Sequence, residues 1–399
     1  RREPRARDHP GRGGLVTAAL PARADVVIVG GGVMGASIAF HLAEAGVRDV
    51  LLLERDALAS GSTSRAAGGV RTQFSDELNI RIAMRSIEAF MRFAERPGWE
   101  IDLHQVGYLF VLTTPEQVDG FAQSIELQNR LGVPSTLLTA EQAGELNPLI
   151  RLDDVLAAAF CPLDGHATPE AAVQGYASGA RTHGATLVTG CSVDAIEVED
   201  GAIRAVMTSR GRVETTTVIC AAGPWSRAVG EMVGFELDVT PLRRQVLVTE
   251  GVPGLPRTLP MTIDFANGFY FHREGAGLLM GVNFEEQPGF KLEYDEGWLP
   301  ELFDAIEHRA PALSSVGVQS GWAGLYEVSP DHNALIGEAP GVSRFLYATG
   351  FSGHGFLQAP AVGEIIRDLV LEREPFVDVS ALSADRFSRG DERPERNII

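Results

Sequence analysis

Residues 25–54 restrict the fold more than any other part of the chain. Residues 25–30 (DVVIVG) are a short β-branched apolar run ending in glycine, residues 33–45 carry a helical pattern closed by Gly46, and residues 50–53 (VLLL) read as a second buried strand. Strand, helix and strand in that order make a βαβ unit. Gly30, Gly32 and Gly35 set a GxGxxG at the strand-to-helix turn, and Glu54 ends the second strand at about the 20-residue spacing of a ribose-binding acid. Each position has a physical reason. Gly30 permits the tight turn, Gly32 lets backbone approach a pyrophosphate, and Gly35 lets the helix pack on the strand, while the helix start at Val33 and Met34 offers N–H groups to the anion. The segment predicts a dinucleotide site; the fingerprint alone leaves FAD and NAD open.

The rest of the chain bounds the class. With 399 residues, 45% of them hydrophobic, it is long enough for two domains. A formal net charge of -19 argues against a nucleic-acid groove and against docking on anionic lipid, both of which need basic surface. Cys161, Cys191 and Cys220 show no CxxC spacing, so no metal site and no disulfide framework are expected, and a reducing, cytoplasmic setting fits. No run approaches the roughly 18 apolar residues needed to span a membrane. Residues 1–23 are rich in Arg, Pro and Gly and are expected to be a disordered leader or a targeting segment.

A second α/β stretch follows Asp164, where Pro169 opens a helix running to about His183 and Gly184 stops it. Strands with turns at Gly201 and Gly211 then lead to residues 218–223 (VICAAG). From about Pro241 to Gly321 the pattern becomes strand-rich, at residues 245–250, 268–272 and 278–282, before an amphipathic segment at 299–309. The last strand, residues 345–349, leads through a glycine-rich turn to a helix expected at 359–371. The expected fold class is α/β: a Rossmann-like nucleotide-binding domain from residues 24–99, 151–240 and 322–380, with a second α+β domain on a mainly antiparallel sheet from 100–150 and 241–321, and a polar tail at 381–399.

Three segments carry a resemblance. Residues 61–69 (GSTSRAAGG), 218–226 (VICAAGPWS) and 347–364 (YATGFSGHGFLQAPAVGE), taken in that order with the fingerprint, resemble the D-amino-acid-oxidase-like flavoenzymes, among them sarcosine oxidase, dimethylglycine dehydrogenase and the proline dehydrogenase β subunit. The likeness spans Asp25 to about Leu371. It implies FAD, held by Gly30, Gly32, Val33, Met34, Gly35, Glu54 and Arg55, by Ser62, Thr63, Ser64, Arg65, Gly68 and Gly69, by Val193, Ala222, Gly223 and Trp225, and by Asp331, Gly353, His354, Gly355, Phe356 and Leu357. Glycines 353 and 355 and the helix start after them would set N–H groups against the flavin carbonyl that gains charge on reduction. Relatives that bind flavin covalently do so where Arg65 and Gly324 stand here, so the resemblance implies dissociable FAD.

The same resemblance directs the substrate chemistry. It implies oxidation of the C–N bond of a secondary or tertiary amine or amino acid by hydride transfer to flavin N5, giving an imine that hydrolyses, with no indispensable protein base. Arg71 is the candidate carboxylate clamp, Tyr270 and His272 lie on one face of a candidate substrate strand, and His354 is a candidate flavin neighbour. Trp322 and Tyr326 fall in a segment that passes near the flavin, although core packing is the usual role of such aromatics. Leu357 and Leu279 replace the family's two functional lysines, and Lys291 is the only lysine in the chain, so a redox partner is at least as good an acceptor as oxygen. Other readings are 2-hydroxy acid oxidation, a flavin subunit or assembly factor active only with partner subunits, and a NAD-only dehydrogenase; a homo-oligomer also remains open.

Overall fold

The computed structural model describes residues 19–284 and 286–398. Val26–Val29 is wholly apolar and buried, and it runs near the middle of a six-stranded sheet in the order Leu335–Glu338, Phe345–Thr349, Val218–Cys220, Val26–Val29, Val50–Leu53, Thr186–Val188. Five of these strands are parallel and Leu335–Glu338 is an antiparallel edge. A parallel sheet needs cover on both faces, which is why its strands are continuous apolar runs. One face is covered by the helices Val33–Glu44, Pro169–Thr182 and Gly355–Val370, with Glu77–Met91 packed on the last of these. Val33–Glu44 is buried almost all round because small residues let its neighbours close in. A Cβ on Gly179 would lie 2.7 Å from Phe40, and one on Gly363 would lie 2.3 Å from Ser37 Oγ. The other face is covered by the three-stranded antiparallel sheet Gly211–Glu214, Ala202–Thr208, Val193–Glu199.

The second large sheet has eight strands in the order Val318–Val328, Thr240–Thr249, Gly277–Gly281, Phe269–Glu274, Met261–Asp264, Tyr108–Leu112, Ala157–Cys161, Thr136–Leu138. Only the pairing of Met261–Asp264 with Tyr108–Leu112 is parallel. The helix Leu299–Arg309 buries Leu302, Ala305 and Ile306 on one face of it, with Trp298 fully buried at the helix entry. The sequence assigned Ala157–Cys161 and residues 322–328 to the nucleotide-binding part, yet both are strands of this sheet. A strand that passes from one domain to the other without a turn leaves no boundary signal.

Three other expectations change. The last helix starts at Gly355, not 359, and keeps Pro360 inside it; early in a helix, the missing proline N–H costs one backbone hydrogen bond and the helix continues. The tail is not loosely polar. Arg386, Glu395 and Asn397 are buried, and Glu395 accepts hydrogen bonds from Ser75 N and Oγ (2.8 and 2.6 Å) and Asn79 Nδ2 (3.0 Å). The expected leader falls outside the described residues up to 18, while residues 22–24 run along Gly211–Glu214, with Glu214 N donating to Ala22 O and Ala24 N to Glu214 O, each at 2.9 Å.

Candidate active site

A cavity of about 660 Å³ lies between the parallel sheet and the eight-stranded sheet. At one end it is built by the fingerprint. Gly30 has φ +115, and a Cβ there would sit 2.3 Å from Ala221 O; a Cβ on Gly35 would sit 1.9 Å from Gly30 O. Only glycine brings turn, helix and the Ala221 strand end this close. Gly30, Gly32, Val33, Met34, Val193, Ala222 and Gly223 line this end, and Gly35 stands just behind it. Glu54 accepts from Gly31 N (2.7 Å) and Asp56 N (2.8 Å), which fixes its carboxylate at the wall with lone pairs to spare. Arg55 lies 4.1 Å from the centroid of Trp225, and Phe290 stacks on Trp225 with ring centroids 5.6 Å apart.

The small-residue stretch forms the middle of the cavity, stapled to Val318–Val328. Ser62 Oγ donates to Leu325 O (2.6 Å), Arg65 Nη1 to Ala323 O (2.9 Å) and Trp322 Nε1 to Arg65 O (3.1 Å). Thr63 Oγ1 accepts from Val33 N (3.1 Å), tying the stretch to the helix start. Glycine is required where these segments cross: Cβ atoms on Gly68, Gly69 and Gly324 would lie 2.2 Å from Ala167 O, 1.8 Å from the Tyr108 hydroxyl and 2.9 Å from Arg65 Cβ. Ser64 is the exception among the expected contacts: its N–H closes a turn on Ala59 O (3.1 Å), and the residue does not line the cavity.

At the far end, Arg71 is buried against the face of Phe74, 4.3 Å from the ring centroid. Its Nη1 donates to Gln73 O and its Nη2 lies 2.8 Å from His354 Nε2. Burial, then the Arg71 charge, hold His354 well below the usual histidine pKa, so the ring is neutral and Nε2 accepts from the guanidinium. Among the described residues no carboxylate forms an ion pair with Arg71. Asp164 holds the residues that follow it, accepting from Thr72 N (2.8 Å), Thr72 Oγ1 (2.7 Å) and Gln73 Nε2 (3.1 Å), while burial raises its carboxyl pKa to about 6. Gly353, Gly355, Phe356 and Leu357 complete the wall with the helix start.

Besides Ser64 and Gly35, two more expected site residues stand outside the cavity lining. Tyr270 lines the cavity, but His272, two residues on and on the same face, is carried past its edge. Its Nε2 lies 3.0 Å from Ala67 O and its ring packs at a tilt on that of His166, with centroids 4.4 Å apart, so it supports the stretch rather than facing the cavity. Asp331 is 2% exposed and bound to Arg386 through two contacts of 2.7 and 2.8 Å, so it closes a structural ion pair and does not face the cavity.

The lining residues that were not assigned as site residues include Tyr108, Arg244 and Glu327, and Tyr326, which the resemblance had placed only in a segment near the flavin. Burial raises the hydroxyl pKa of Tyr108, Tyr270 and Tyr326, keeping all three as neutral phenols. Glu327 accepts from Thr349 Oγ1 (2.8 Å) and Gly350 N (3.1 Å), and burial raises its pKa to about 7 against those bonds. Strand alternation through residues 243–246 would have flagged Arg244 and Val246 as sharing one face.

A nucleotide cradle on a parallel sheet, roofed by a larger and mainly antiparallel sheet, is an architecture suited to a dinucleotide-dependent oxidoreductase. The family described as FAD dependent oxidoreductase matches residues 25–369, and the chain belongs to it. It is 33% identical over 389 residues to the mitochondrial dimethylglycine dehydrogenase of Rattus norvegicus, covering 92% of this chain and 45% of that one, so it spans less than half of that relative's length. FAD-dependent oxidoreductase domain-containing protein 1 of Xenopus laevis is 32% identical, with 95% of this chain and 85% of that one covered. Among solved structures, L-proline dehydrogenase from P. horikoshii superposes with a TM-score of 0.89 at 34% identity, covering 94% of this chain and all of that one.

The residues present fit FAD. The glycines leave room where a Cβ would collide, Glu54 faces the ribose end, and the cavity runs on without a break to Arg71. Arg65 Nε, at the middle of the cavity, is a buried donor with no partner among the described residues, as expected of a group awaiting a ligand acceptor. No helix among the described residues is long and apolar enough to cross a membrane.

Proposed function

We propose that this chain oxidises the C–N bond of a secondary or tertiary amino acid. Arg71 carries the reading: a guanidinium 3% exposed, at the cavity end remote from the nucleotide cradle, with no carboxylate partner among the described residues. An unpaired buried charge is costly, and a substrate carboxylate meeting it makes a charge-assisted pair. Held there, the substrate lies against Tyr108, Tyr270, Tyr326 and neutral His354. Dimethylglycine and L-proline, named for two relatives, are a tertiary and a secondary amino acid, which supports the class. FAD supplies the two-electron acceptor for the hydride leaving the carbon next to nitrogen. The imine left by a secondary amine, or the iminium left by a tertiary one, takes up water and breaks into an aldehyde or keto acid and an amine, joined in one molecule where the substrate is cyclic.

Dissociable FAD is part of the proposal. Gly324 has no side chain to bond the flavin, and Arg65 is engaged with Ala323 O. Acid precipitation should leave a colourless pellet and a yellow supernatant; a yellow pellet contradicts it. The acceptor is proposed to be a redox partner, since Lys291 is exposed and paired with Asp295 at 2.8 Å and Leu279 sits in an apolar cluster. The test of the reaction is product analysis: the holoenzyme, an artificial electron acceptor and an N-methyl amino acid should release formaldehyde in step with acceptor reduction. Acceptor reduction by a 2-hydroxy acid and by no amine would replace the reading.

A further inference from the structure

We propose that Arg244 forms a second anion subsite in the same cavity, and that the substrate is an N-substituted amino acid carrying two acidic groups. The inference rests on the amine reading above and sharpens it.

Arg243 and Arg244 are consecutive on the strand Thr240–Thr249, so alternation sends them to opposite faces. Their surroundings differ sharply. Arg243 faces the segment that follows Gly277–Gly281 and is ion-paired with both Glu286 and Asp295. Arg244 faces the cavity with Val246 and Tyr270, and no described carboxylate pairs with it. Its Nη1 donates to the carbonyl of Arg243 (3.2 Å), and its Nε is buried with no partner among the described residues. The chain has 53 Asp and Glu against 34 Lys and Arg, so the lack of a described carboxylate partner here is not for want of acids.

Arg244 and Arg71 both act on Tyr326, which lies in the same cavity wall. The Arg244 guanidinium lies 5.5 Å from the Tyr326 ring centroid, and Arg244 and Arg71 both oppose the rise that burial imposes on the Tyr326 hydroxyl pKa. The helix start at Val33, at the other end of the cavity, would hold the nucleotide phosphates. A ligand with one carboxylate on Arg71 leaves Arg244 unsatisfied; a ligand with two satisfies both, and a planar fork binds a carboxylate through two parallel bonds. Iminodiacetate, N-methylaspartate and N-methylglutamate are amines of this class.

The test compares matched pairs on the holoenzyme: iminodiacetate with sarcosine, and N-methylaspartate and N-methylglutamate with N-methylalanine. At least one dicarboxylate should exceed its monocarboxylate partner in kcat/KM by about 10- to 100-fold, the effect of one added hydrogen-bonded charge pair. A second readout uses thiodiacetate and methylthioacetate, which have no C–N bond to oxidise, with Kd taken from the shift of the visible spectrum. Arg244→Gln should bring both ratios towards one, and Arg244→Lys should retain part of them. Monocarboxylates used as well as every dicarboxylate, or ratios unmoved by Arg244→Gln, overturn the subsite and leave the amine reading standing. Flavin reduced by none of these amines overturns both.

Discussion

Arg71 Nη2 donates to His354 Nε2 across 2.8 Å, joining the segment after the small-residue stretch to the turn before the last long helix, 283 residues away. The contact holds the guanidinium against Phe74 and leaves its charge uncompensated at the cavity wall. Replacing Arg71 with Gln should raise KM for a carboxylate-bearing amine by about 100-fold or more, since truncating one partner of a buried charge pair costs about 2–5 kcal/mol. The visible spectrum of bound flavin should persist. A KM within about threefold of the parent protein, measured in steady state, would show that the carboxylate goes elsewhere.

The fingerprint makes a sharper demand. A Cβ on Gly35 meets Gly30 O at 1.9 Å, a backbone atom that cannot swing away. Gly35→Ala should purify without yellow colour and melt at a lower temperature, and full flavin occupancy in that variant would contradict the close approach.

Glu327 gives a pH dependence with a definite sign. Its pKa rises from 4.5 to about 7 on folding, so the folded state keeps a proton that the unfolded state has lost between those values. That contribution to stability is full below about 4.5 and is lost as pH rises through about 7. Glu327→Gln stays neutral throughout, so relative to the parent protein it should gain about 1–3 kcal/mol between pH 4.5 and pH 8. Chemical unfolding at the two pH values reads the gap; an unchanged gap would mean Glu327 is ionised in the fold.

Asp331 and Arg386 are both about 1% exposed at the side chain and lie 2.7 Å apart. Removing either partner leaves the other buried and unpaired, so Asp331→Asn and Arg386→Leu should each cost about 3–5 kcal/mol, and the double variant less than the sum. Additive losses in urea unfolding would show that the two do not act as a pair.

What the sequence disclosed follows from how local each constraint is. Gly30, Gly32, Gly35 and Glu54 were legible because one turn and two strands dictate their identity and spacing. Arg71 and His354 were legible only through the resemblance, since nothing local says that residues 283 apart will touch. Asp331 was misassigned because its partner lies in a tail that composition alone marks as polar surface; burial of Arg386, Glu395 and Asn397 there depends on the gap it fills beside Ser75 and Asn79. His272 shares the face of Tyr270 as alternation requires, but where the cavity ends is set by Ala67 and His166, from other segments. Glu327 was passed over because a carboxylate within an apolar strand reads as an exposed position until Thr349 and Gly350 are brought to it.

The central claim is that FAD and an amine held by Arg71 meet in one cavity. Its most direct test is an anaerobic visible spectrum of the holoenzyme titrated with sarcosine, dimethylglycine, proline, N-methylaspartate, D-amino acids and 2-hydroxyglutarate. The flavin band should bleach stoichiometrically with a secondary or tertiary amino acid, and bleach at far higher concentration in Arg71→Gln. A flavin reduced by none of the amines, or equally well in parent and variant, would contradict the account.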